Sequence, residues 1–175
     1  MAPSLALHSA ARIALGLAVC SAASFLRAAQ AGTLRVDEDG LSIPQRVVSL
    51  TILTIGLLIA VVPYLRLLRG PAPPLAEIDR GVPWIHFAAA LSLPFSSNDI
   101  FSNLAYGHML HLGKNPYLAG PLSLGNGDPF VALVGERWQS EPLVYGPLLG
   151  LLNGAVVLLG RPSVAMLGFK VLMLA

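Results

Sequence analysis

Apolar residues in this chain come in blocks separated by arginines. The length of each uncharged block is informative, because a helix that crosses a bilayer needs about 20 predominantly apolar residues. Val47 to Leu65 is rich in Leu, Ile and Val and lies between Arg46 and Arg66, which predicts a span over 47–65. Pro142 to Gly160 is closed by Arg161 and predicts another over 143–160. Gly81 to Asn98 is interrupted by Pro83, His86 and Pro94, so its helical core is shorter, over 82–96. The run Ile13 to Leu26 reaches spanning length, over 6–28, only if Arg12 snorkels to the interface. Ser163 to Ala175 starts a further apolar helix with Lys170 inside it. That stretch rises only about 20 Å against a hydrocarbon core about 30 Å thick, which predicts a partial span over 163–175. Residues 1–175 therefore read as a single transmembrane unit that is a piece of something longer.

Composition agrees with this pattern. Of the 175 residues 55% are hydrophobic and 11% charged, with a mean hydropathy of +0.70. Soluble domains carry about 25% charged residues, so an ordinary soluble enzyme is excluded. The net charge is +2, and the basic residues are scattered singly without the stripe that nucleic acid requires. Cys20 is the one cysteine, which rules out an internal disulfide and a multi-cysteine metal site. Small residues at Ser21, Ala22 and Ala23 fit a signal-peptide cleavage site and Leu17-Ala18-Val19-Cys20 approaches a lipoprotein box, but Val19 stands where that box wants a small residue and no strongly basic region precedes the apolar run, so an uncleaved first span is the better reading. Arg66, Arg69 and Arg80 mark a cytoplasmic loop; residues 27–46 hold as many arginines, and Arg161 breaks the tie. The loop 96–142 then lies outside. The expected fold is an all-α, polytopic membrane helical bundle with an extracytoplasmic loop containing an interfacial helix.

That loop holds Phe101, Tyr106, Tyr117, Phe130 and Trp138, more aromatic residues than a solvated linker carries. Ser96 or Ser97 caps a helix predicted over 98–112, with Asp99 in its first turn and Gly113 after its end. Phe101, Leu104, Ala105 and Leu112 lie near one face, as in a helix resting on the membrane surface. By position alone Asp99 is more often a helix-start charge than a catalytic carboxylate. His108 and His111 stand at metal-ligand spacing, yet an ordinary surface pair is the commoner meaning. Tyr117 and Trp138 are suited either to stacking on a sugar or to interfacial anchoring, and Lys114 and Arg137 either to meeting a phosphate or to snorkelling. Gly146, Gly150 and Gly154 predict a close helix–helix approach, with Asn153 hydrogen-bonding to a neighbouring helix.

Taken in order, the motifs Asn98-Asp99-Ile100-Phe101-Ser102, Tyr106-Gly107, Gly113-Lys114-Asn115-Pro116-Tyr117, Asp128-Pro129-Phe130, Trp138 and Glu141-Pro142-Leu143-Val144-Tyr145-Gly146-Pro147 resemble the membrane-embedded GT-C glycosyltransferases, specifically the bacterial polyprenol-phosphate-mannose-dependent mannosyltransferases. The resemblance implies the N-terminal part of a multi-span enzyme of the bacterial inner membrane. Such an enzyme moves a hexose, expected to be mannose, from a polyprenol phosphate to the hydroxyl of a glycan or glycolipid acceptor on the outer face. It implies Asp99 as general base, with Lys114, Tyr117, Arg137, Trp138, Glu141 and Tyr145 as substrate-binding residues. Inversion at the sugar would follow from one direct displacement. No metal ligands are assigned and the cofactor stays open. Relatives show an aromatic pair shortly after the Asp where this chain has Phe101 and Asn103. The competing readings are a non-catalytic membrane protein or transporter subunit whose loop docks a partner, and an inactive truncated remnant.

Overall fold

The computed structural model describes residues 5–34, 41–94 and 98–174, and they contain helices, turns and irregular chain but no strand. The protein is an all-α membrane protein whose helices fall into two compact units. The first holds α1 (Leu5–Ala31), α2 (Ile43–Arg69) and α3 (Leu75–Leu91). The second holds α4 (Asp99–His111), α5 (Pro147–Val157) and α6 (Pro162–Leu172), with three short 3-10 turns between α4 and α5.

Among the described residues α1 and α2 are the two helices long and apolar enough to cross a membrane. A core helix of a soluble protein passes the same test only by being mostly buried, whereas 22% of the most apolar window of α2 is buried. Its Val47, Leu50, Leu58, Val61 and Leu65 stand exposed, an arrangement that water penalises and hydrocarbon does not. Both helices run past the uncharged blocks that predicted them. Arginine is a good helix former, so a charge marks where hydrocarbon ends and not where the backbone must uncoil. At the start of α2, Gln45 Oε1 accepts from both the N–H and the hydroxyl of Ser42 at 2.9 Å. At its end Gly70 N–H donates to the Arg66 carbonyl, and prolines 71, 73 and 74 prevent continuation.

The third predicted span is displaced. Helix α3 starts directly after Pro74, takes in Glu77, Asp79 and Arg80, and carries Pro83 in its interior. It stops at Leu91, where the Ser92 hydroxyl donates to the Ala89 carbonyl at 2.7 Å and Pro94 lies ahead. The remainder of the predicted 82–96 span, and the cap candidates Ser96 and Ser97, lie outside the described residues.

Helix α1 touches α2 through small residues. A methyl group built on Gly16 would lie 2.6 Å from the Ala60 nitrogen and the Gly56 carbonyl oxygen, and one on Gly56 would lie 2.8 Å from the Cys20 nitrogen. On the other side, one on Gly81 of α3 would lie 2.6 Å from the Ala10 Cβ. Such contacts replace the hydrophobic driving force that lipid cannot supply between helices. The Cys20 thiol donates to the Leu53 carbonyl at 3.7 Å, and the Ser21 hydroxyl accepts from Leu93 N–H at 3.2 Å.

In the second unit α4 is buried all round from Phe101 to Gly107, and Leu112 is the exposed member of the face predicted to rest on a surface. The helix is packed against α5, α6 and the first two 3-10 turns instead of lying with one side free. The predicted 143–160 span becomes the shorter α5, 11 residues and so about 16 Å long. Residues 142–146 are drawn into an extended lead, because Leu143 N–H donates to the Pro116 carbonyl at 2.8 Å and the Tyr117 hydroxyl to the Tyr145 carbonyl at 3.1 Å. Gly160, at φ +91°, turns the chain into α6.

The expected glycine stripe is used in part. Gly150 and Gly154 face α4, while a methyl on Gly146 would meet nothing. The tightest point is Gly107 on α4, where an added methyl would overlap the backbone of Asn153. Asn153 is fully buried, and its Nδ2 donates to Asn103 Oδ1 at 3.5 Å, the interhelical bond expected of it. Gly107→Ala should therefore destabilise the protein by about 1–3 kcal/mol through overpacking. Gly154→Ala meets ordinary contacts at 3.8 Å and gains helix propensity, so it should be neutral or better. Denaturant titration in a mild detergent reads both, and equal effects would contradict the packing assignment.

Candidate functional site

Helix α4 presents Asp99, Ser102, Asn103 and Tyr106 at spacings of three and four residues, which places them along one side of the helix. These four line a cleft whose opposite wall is Trp138, Pro142, Val144 and Tyr145. The cleft holds about 140 Å³, less than the roughly 300–1,000 Å³ of a pocket that encloses a whole small molecule. It is a partial site, sized for one edge of a substrate.

Three sequence-predicted residues, Asp99, Trp138 and Tyr145, come together here from distant parts of the chain. Asp99 is exposed in the first turn of α4, where the helix dipole favours a carboxylate, and its carbonyl accepts from Asn103 Nδ2 at 3.0 Å. Trp138 is 43% exposed and carries the Arg137 guanidinium 5.5 Å from its ring centroid, so a cation sits beside the cleft without lining it. Ser102 Oγ is buried with no hydrogen-bond partner among the described residues, an unusual state for a hydroxyl at the edge of a cleft.

The other predicted residues take different places. Glu141 meets the site through its backbone, its carbonyl accepting from the Tyr106 hydroxyl at 2.8 Å. Burial, reinforced by the nearby Glu141 carboxylate and Tyr145, raises the Tyr106 pKa above the ordinary tyrosine range, so its phenol stays a neutral donor. Tyr117 does not line the cleft; its hydroxyl is committed to the Tyr145 carbonyl. Lys114 lies past the far end of α4, about 20 Å along the helix axis from Asp99, and its Nζ donates to the Ser123 carbonyl.

The linked motifs explain why the wall stands where it does. Asn115 Oδ1 accepts from Tyr117 N–H at 2.9 Å, an Asx turn that aims the Tyr117 ring at Tyr145. Asp128 Oδ1 accepts from Phe130 N–H at 2.9 Å and Val131 N–H at 3.2 Å, while its Oδ2 lies 3.1 Å from His108 Nε2. Phe130 stacks on the His108 ring at 4.5 Å, which makes His108 a packed anchor between α4 and the loop. His111 stacks on it at 6.2 Å. Gln139 Nε2 donates to the Val134 carbonyl at 3.1 Å, holding the turn that bears Trp138.

Ser102, Asn103 and Tyr106 were missed as site residues. They continue a polar stripe from Asp99 at helical spacing, on a helix whose apolar positions dominate its pattern.

The model of the alpha-(1->6)-mannopyranosyltransferase N-terminal domain matches residues 8–175. A probable alpha-(1->6)-mannopyranosyltransferase of Mycolicibacterium smegmatis is 30% identical over 115 residues, covering 62% of this chain and 21% of that protein. An alpha-(1->6)-mannopyranosyltransferase of Mycobacterium tuberculosis is 39% identical over 74 residues, covering 41% of this chain and 12% of that one. The aligned stretches thus take in 21% or less of these relatives' own lengths. No solved structure matches. With the family model covering nearly all of its residues, the chain belongs to the alpha-(1->6)-mannopyranosyltransferase family, in the region of that family's N-terminal domain.

Proposed function

We propose that this chain supplies the acceptor-activating half of a mannosyl transfer from a polyprenol phosphate to an acceptor hydroxyl at the extracytoplasmic membrane face. The observation that carries the reading is the convergence of Asp99, Trp138 and Tyr145 on one cleft. It is supported by the relatives' names, which describe alpha-(1->6)-mannopyranosyl transfer.

Asp99 takes the proton of the acceptor hydroxyl as that oxygen attacks the anomeric carbon of the sugar. The bond from that carbon to the phosphate oxygen breaks, and its electron pair leaves with the lipid phosphate. A carboxylate does this work within hydrogen-bond reach of the hydroxyl, and Asp99 is exposed and lines the cleft. Trp138 offers an apolar ring to the sugar face. Ser102 lines the same cleft with its hydroxyl buried and without a partner, and a side-chain rotation would bring that hydroxyl to a sugar hydroxyl. Arg137, held on Trp138 beside the cleft, is a cation for charge developing on the departing phosphate.

In the complete enzyme Asp99→Asn should lower kcat by about 10²- to 10⁴-fold, the usual contribution of a general base, with membrane insertion and acceptor KM little changed. Initial rates with a polyprenol-phosphate mannose donor measure this, and full activity in that variant would refute the assignment. Trp138→Ala and Ser102→Ala should instead act on acceptor binding, raising KM several-fold with a smaller effect on kcat; a pure kcat loss would remove both from the acceptor site.

A further inference from the structure

The first unit has two pairs of arginines. About 30 Å of helix lies between Arg46 and Arg66 on α2, the thickness of a hydrocarbon core, so with α2 across the bilayer these residues stand at its two faces. Arg27 joins Arg46 around a cavity of about 20 Å³ at one end, and Arg12 joins Arg66 at the other. The first pair is engaged by the protein, with Arg27 Nη2 donating to the Pro94 carbonyl at 3.4 Å and Arg46 Nε to the Leu41 carbonyl at 3.0 Å. Among the described residues the side chains of Arg12 and Arg66 make no hydrogen bond or ion pair. They stand instead at a groove of about 450 Å³ between α1 and α2, walled by Leu15, Leu58, Ile59, Val62 and Pro63.

We propose that this groove binds an anionic glycerophospholipid, its phosphate between Arg12 and Arg66 and an acyl chain along the aliphatic wall. The two ends of the groove ask for different chemistry. Two guanidiniums call for a phosphate oxyanion, to which each offers a bidentate face. The wall calls for a hydrocarbon chain, and Leu15 and Leu58 are 55% and 57% exposed along it. A free phosphate would leave the wall unused, a lipid without phosphate would leave the arginines unpaired, and a zwitterionic headgroup would bring a further cation against the two guanidiniums. An anionic phospholipid meets both demands, as in other basic pockets between membrane helices. Arg69, one turn beyond Arg66, adds to the positive field at the same end without lining the groove.

The test uses the full chain, delipidated in a neutral detergent and titrated with phosphatidylglycerol under native mass spectrometry, with inorganic phosphate and a polyprenyl phosphate in parallel. One phosphatidylglycerol should be retained per chain. Arg12→Gln with Arg66→Gln should weaken retention about tenfold or more, as expected for two arginines at a lipid phosphate. Arg69→Gln with Arg80→Gln should leave it within about twofold, since neither residue lines the groove. Val62→Trp, which fills the groove and keeps both charges, should give the same loss as the double glutamine variant and stands in for it should that variant fail to fold. Equal weakening by both arginine pairs would show a general surface field and overturn the site. Retention of inorganic phosphate as strong as that of the lipid, or preference for polyprenyl phosphate, would overturn the assignment to a glycerophospholipid.

Discussion

The second unit depends on one close approach, that of α4 to α5 at Gly107. With no side chain there, the backbone of Asn153 comes against α4, and this contact sets how closely α5 approaches α4. One turn earlier Asn103 meets Asn153 across the same seam, and next to Gly107 the Tyr106 hydroxyl reaches the carbonyl of Glu141. Asp99 lies one further turn back on the side of the helix shared by Asn103 and Tyr106. A side chain at position 107 would push α5 away and take Pro142, Val144 and Tyr145 out of reach of Asp99. The cleft is thus a consequence of packing before it is a matter of chemistry.

Legibility in the sequence followed the physics of each signal. Uncharged runs located α1 and α2, because the exclusion of charge from hydrocarbon is strong and local. The same runs misplaced α3, since Pro74 and Glu77 are helix-start signals that hydropathy ignores, and α3 accordingly includes the charges of Asp79 and Arg80. They also overextended α5, whose first predicted turn is pulled straight by hydrogen bonds to the Pro116 carbonyl and from the Tyr117 hydroxyl, partners more than 25 residues away that no local pattern reveals. The apolar face read on α4 came from counting hydrophobic positions, while the burial of Ser102, Asn103 and Gly107 shows a helix enclosed on every side.

At the candidate site, residue types were easier to find than their duties. Asp99, Trp138 and Tyr145 stand in one cleft, as a shared role requires. Tyr117 and Lys114 carry the same kind of chemistry, yet the fold commits the Tyr117 hydroxyl and the Lys114 ammonium to backbone carbonyls. His108 is similar: beside a second histidine at helical spacing it invites a metal reading, but Asp128 at 3.1 Å and Phe130 stacked on its ring give it an anchoring task. A side chain's chemistry can be read from its letter, whereas its partner depends on closure of the loop.

That difference changes what the linked motifs mean. Asn-Pro-Tyr, Asp-Pro-Phe and Tyr-Gly-Pro stand far apart in the chain, and each makes its hydrogen bonds to the segment that carries or faces another. The Asx turn at Asn115 sets Tyr117, Tyr117 holds Tyr145, and Pro116 holds Leu143. Asp128 ties the loop ahead of Trp138 to α4 through His108. The role proposed for Asp99 at a helix end needs an opposing wall that does not drift, and a loop without regular structure cannot supply one from its own backbone ladder. Fixed turns, buried aromatics and hydroxyl-to-carbonyl bonds take the place of that ladder. The spacing of the motifs is therefore the spacing of braces, and only a minority of their residues need touch a substrate for all of them to be required by the site.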